Sequence, residues 1–171
     1  MKKTLLLMTL ALSMPAITNA AAILKFETMY GVDGPFVGGT QVRGVLGDEL
    51  PWEIESAKGS LSTEGNLKIS VKGLVFSDAS VVPPNLRGKN DEKEFRAMVS
   101  CISENEGDGT SLTKVITRGF PATTSGNSEI NAKIKLPETC IAPIVFIMAG
   151  SEEKWFAVTG FEAPPMPKPK R

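Results

Sequence analysis

Residues 104–109 read Glu-Asn-Glu-Gly-Asp-Gly, alternating acidic and amide side chains with glycines. Carboxylates and an amide set around glycines would wrap calcium, which takes roughly six to eight oxygens from a flexible loop. Glu104, Glu106 and Asp108 are the metal candidates. The spacing departs from an EF-hand loop and the bidentate glutamate is missing, so a solvated hairpin tip competes with the calcium reading. Glycoside hydrolysis is a second possible chemistry, with its carboxylate pair drawn from Asp48, Glu49, Glu53 or Glu129. That reaction demands a set separation and one raised pKa, and an acid-rich domain offers chance pairs without either.

Hydroxyls and aromatics supply the remaining candidates. Thr123, Thr124 and Ser125 fall within Phe-Pro-Ala-Thr-Thr-Ser-Gly at 120–126. Hydroxyls beside backbone amides suit a polar ligand, and they also serve ordinary turns. Trp52 follows Pro51 with acids close by, which makes it the aromatic most open to stacking a sugar or anchoring a partner. Trp155 lies among apolar neighbours and reads as core, while Tyr30 and Phe36 are further aromatic candidates. Histidine is absent from the chain. The usual base for a Ser or Cys nucleophile is therefore missing, as is a common ligand of zinc and redox metals. Glycines between 31 and 39 lack the lysine and following helix of a phosphate loop. Calcium is the one cofactor left in play.

The elements that must position these groups are strands. Leu67, Ile69, Val71, Gly73 and Val75 alternate against Lys68, Ser70 and Lys72. Phe95, Ala97, Val99 and Cys101 alternate against Arg96, Met98 and Ser100, and Ile130, Ala132, Ile134 and Leu136 against Asn131, Lys133 and Lys135. Period two with one apolar face predicts half-buried strands, one face in the core and one in water. Residues 141–148 are apolar on both faces and predict a central strand; 155–159 predict a last one. Residues 23–30 and 40–46 are further strands, and 52–61 pairs with the strand from Leu67 through a turn at 63–66. No sustained helical period occurs. The pattern predicts an all-β, antiparallel β-sandwich of about eight or nine strands, with a small closed β-barrel as the alternative.

The leader sets the address. Lys2 and Lys3 precede an uncharged apolar run, Pro15 breaks it, and Thr18-Asn19-Ala20 offers small residues for cleavage after Ala20. That is the three-part pattern of a cleavable, bacterial-looking signal peptide over residues 1–20, too short to span a bilayer. A single domain then covers 21–162, followed by a Pro/Lys-rich tail over 163–171 that predicts disorder. Removing the leader leaves 17 basic against 19 acidic residues, a balance of about −2. Such a chain carries no electrostatic footprint for nucleic acid and offers no further segment for membrane insertion. Cys101 and Cys140 are the two cysteines. An even pair in an oxidising compartment predicts one disulfide.

Several stretches resemble an uncharacterised family of small secreted bacterial proteins. They are Arg43-Gly-Val45, Leu50-Pro-Trp52, Val99-Ser-Cys101, the 120–126 segment, Cys140-Ile-Ala-Pro-Ile-Val-Phe146 and Trp155-Phe-Ala-Val-Thr-Gly160. The resemblance implies a shared fold and a shared disulfide, and it carries no activity. The expectation is a secreted or periplasmic, non-enzymatic binding module for a glycan, an envelope component or a protein. A small carboxylate-based hydrolase is the rival, and an envelope structural subunit with an exposed sheet edge is the third reading.

Overall fold

The computed structural model describes residues 20–105 and 109–160. The expected leader up to residue 19 and the tail from 163 lie outside the described residues. Leu67, Ile69 and Val71 point inward from β6 (Asn66–Lys72), and a turn with Gly65 at φ 79° returns the chain antiparallel to β5 (Ser56–Ser62). β1 (Ala22–Phe26) and β11 (Ser128–Lys133) flank this hairpin, giving a four-stranded sheet in the order β1-β5-β6-β11.

The second sheet is built on β8 (Glu94–Asn105), β12 (Ile141–Ala149) and β13 (Lys154–Val158). β2 (Tyr30–Gly31) and β3 (Leu46–Gly47) pair with β13, while β9 (Gly109–Ile116) and β10 (Phe120–Pro121) pair with β8. β4 (Trp52–Glu53) and β7 (Val75–Phe76) form a separate two-stranded ribbon. All pairs are antiparallel except β3 with β13. Neither large sheet closes on itself, so the fold is a sandwich and the barrel alternative falls. No described helix is long and apolar enough to cross a membrane.

The core lies between the two large sheets. Leu61, Leu67, Ile69, Val71 and Ile130 from one meet Phe95, Ala97, Val99, Val145 and Ile147 from the other, all buried. Trp52 closes one end, stacked on Phe156 at 3.9 Å with Phe76 at 4.1 Å. Cys101 and Cys140 are bridged as expected, tying β8 to the approach of β12.

The other face of the second sheet departs from the sequence reading. Met98 and Ser100 were expected in water, yet both are buried. Residues 36–47 lie over this face at β13 and β9. Phe36 packs on Trp155 at 6.0 Å, the Trp155 indole donates to the Val45 carbonyl, and Lys114 Nζ donates to the Gly44 carbonyl. The strand expected at 40–46 is mostly a turn, bridged between Val42 and Val45, with only β3 beyond it. A sheet buried on both faces explains why β12 from Val145 and β13 from Trp155 are apolar.

Candidate functional site

Asp48 and Glu49, two of the hydrolysis candidates, come together with Trp52, and Lys154 and Glu152 join from β13 and the turn before it. Asp48 is buried and accepts the Trp52 indole N–H at 2.8 Å. Burial pushes its carboxyl above the ordinary range, partly offset by that indole bond. Lys154 Nζ sits against Glu49 and lies 2.8 Å from Glu152. Its ammonium holds the Glu49 carboxyl below the ordinary range, and Glu152 and then Glu49 raise Lys154 in turn.

The carboxylate oxygens of Asp48, Glu49 and Glu152 lie within 4.8 Å of one another, close enough for a cation. The donor set does not fit one. Lys154 already neutralises two of the three, and the indole occupies the third. Hydrolysis fits no better, because the raised carboxyl is under Trp52 and the ionised one is bonded to an ammonium. Glu129 lies on another sheet and accepts from Ser70 Oγ at 2.5 Å. Trp52, the aromatic candidate for stacking or anchoring, is 2% exposed. Its polar edge is satisfied from beneath by Asp48, four residues earlier, so neither stacking nor anchoring is open to it.

Thr123, Thr124 and Ser125 are exposed, but the first and last close their own turn. Thr123 Oγ1 and Ser125 Oγ share a bond of 2.9 Å, and the Asn127 amide donates to Thr123 Oγ1. Gly126, at φ 74°, packs on the Leu74 backbone and accepts its N–H, while buried Asn90 donates its side-chain amide to the Thr123 carbonyl and its backbone N–H to the Thr124 carbonyl. The segment is a clamp between β7, β10 and β11. Glu104 is exposed at the end of β8. Glu106 and Asp108 lie outside the described residues, so the calcium loop is represented by Glu104 alone.

Pairing register assembles a different surface, on the outer face of the four-stranded sheet. Lys25, Ser60, Lys68 and Asn131 stand side by side across β1, β5, β6 and β11, and Lys58, Ser70 and Glu129 form the next row. Together with Phe26 and Glu27 they line a shallow open trough. Lys72 and Lys133 stand on the same outward face. Glu27 pairs with Lys58 at 2.9 Å, whereas Lys25, Lys68 and Lys72 have no carboxylate partner among the described residues. Lys25 and Lys68 are two strand spacings apart, about 10 Å. Lys68, Lys72 and Lys133 are visible in the sequence as solvent-facing residues, but the rows exist only once register is known.

No family model, curated protein or solved structure matches the chain.

Proposed function

We propose that the protein is a secreted, non-enzymatic binding module that holds an acidic glycan or related anionic envelope polymer on the outer face of its four-stranded sheet. The observation that carries this reading is the Lys25–Ser60–Lys68–Asn131 row beside Lys58–Ser70–Glu129. Cations set about 10 Å apart between hydroxyls and an amide match a chain that alternates negative groups with hydroxyls. The open trough suits a polymer lying across the strands, and it encloses no small substrate.

Two further observations support binding over turnover. The acids nearest to a catalytic arrangement, Asp48, Glu49 and Glu152, are held by Trp52 and Lys154. The chain has no histidine. Secretion is supported by the leader-like N-terminus and by the Cys101–Cys140 bridge, a feature of oxidising compartments.

A panel of acidic and neutral polysaccharides tests the proposal. Binding confined to acidic chains, weakening as salt rises, supports it. Equal binding to neutral chains, or turnover of any of them, contradicts it.

A further inference from the structure

The edges of the two sheets are not equally protected. Natural edges are kept from pairing by shortness, bulges, proline or charge. β1 carries a register shift between Ala22 and Leu24, β2 and β3 are two residues each, β10 contains Pro121, and β11 carries Glu129 and Lys133. β9 has none of these devices beyond Lys114. It runs eight residues from Gly109 to Ile116 in unbroken register with β8, and no described strand pairs with it on the far side.

Apolar exposure is concentrated at the same edge. Four large hydrophobic residues are exposed among the described residues, Val81, Leu112, Ile116 and Ile141; two of them lie on β9 and Ile141 lies two strands in from it. Register sets Leu112 opposite Ile102 and Ile102 opposite Ile141, an aliphatic row across β9, β8 and β12. Ile102 and Ile141 each follow a bridged cysteine, so the disulfide fixes the row in place.

We propose that β9 pairs antiparallel with β9 of a second copy of this chain, about a two-fold axis at Leu112. In that register Leu112 meets its own mate, Ser111 faces Thr113, and Thr110 faces Lys114. The two aliphatic rows join into one stripe across both sheets, and Lys114 of each copy lies toward the Thr110–Glu104 pair of the other. Shifting the axis to Lys114 would set two ammonium groups face to face, which destabilises a strand pair. A strand whose one charge, Lys114, falls opposite Thr110 rather than its own mate is self-complementary, as an isologous two-fold contact requires.

Sedimentation of the purified protein over a range of concentrations tests this. The wild type should sediment as a dimer that dissociates on dilution. Leu112→Lys should raise the dissociation constant at least tenfold, while its unfolding midpoint matches wild type at concentrations where both are monomeric, because the site is exposed. Val81→Lys, away from this edge, should leave the dimer intact. Leu112→Cys should cross-link two copies on oxidation, which fixes the register independently. A wild type that remains monomeric at the highest concentration, a dimeric Leu112→Lys, or a Leu112→Cys that fails to cross-link would overturn the proposal.

Discussion

Arg43 and Ala142, 99 residues apart, are the only described non-glycine residues with left-handed backbone, and Arg43 Nη2 donates to the Ala142 carbonyl at 2.9 Å. Arg43 and Gly44, at φ 52° and 66°, form the centre of the Val42–Val45 turn. Ala142 lies in the irregular start of β12, between Ile141 and Ile144. The Arg43 side chain thus seats the covering segment on the second sheet near the disulfide, and its Nη1 is buried without a partner among the described residues. Two strained residues held against each other mark a contact that the surrounding packing enforces.

The strain can be separated from the bond. Arg43→Ala loses the hydrogen bond and keeps an L-residue at positive φ, whereas Arg43→Gly loses the same bond and relieves about 1 kcal/mol of backbone strain. Denaturant unfolding should place Arg43→Gly above Arg43→Ala by that amount. Equal stability of the two variants would mean that the turn costs nothing.

The buried acid gives a pH signature. Because burial raises Asp48, the folded protein holds that proton more tightly than the unfolded chain. This contribution is complete below the unfolded value and fades as pH rises through the raised one. Asp48→Asn retains an acceptor for the Trp52 indole, so it should be at least as stable as wild type at neutral pH and show a flatter profile across the acidic range. Asp48→Ala leaves the indole N–H buried without its acceptor and should cost about 1–3 kcal/mol. Thermal melts from pH 3 to 8 check both. Glu49, lowered by Lys154, has the opposite sign: its contribution is present above the unfolded value and is lost as pH falls through the lowered one.

Cross-linking should contribute substantially. Cys101 and Cys140 are 39 residues apart, and closing a loop of that length is worth about 4 kcal/mol in the chain-entropy model. The double serine variant should lose roughly this much in denaturant unfolding. A loss below about 1 kcal/mol would show that the reduced chain is already restrained there.

Gly126 has no substitute. At φ 74° an added Cβ would collide with the Leu74 backbone. Gly126→Ala should cost at least about 2 kcal/mol, read as a lowered melting temperature. The exposed Thr124→Ala next to it should cost within about 0.5 kcal/mol.

The strands legible in the sequence are those with one fully buried face. Leu67, Ile69 and Val71, and Phe95 through Cys101, point where their alternation places them. β9 leaves no such trace, because no residue from Gly109 to Ile116 is fully buried and an edge strand has little apolar pattern to show. Met98 and Ser100 read as solvent-facing since a strand's own pattern cannot reveal a distant loop laid over it. Trp52 looked open because Pro51 and nearby acids are surface signals, and one of those acids turned inward to take its N–H. The lysine rows were half legible: Lys68, Lys72 and Lys133 showed as outward-facing, and only β-pairing set Lys25 beside Lys68.

The most direct test of the binding proposal neutralises that row. Lys25→Gln with Lys68→Gln should weaken binding to an acidic polysaccharide at least tenfold and flatten its salt dependence, whereas Lys89→Gln with Lys93→Gln, away from that sheet face, should leave both unchanged. Equal weakening by the two pairs would mean that net charge alone attracts the polymer, and undiminished binding by the first pair would contradict the proposed site.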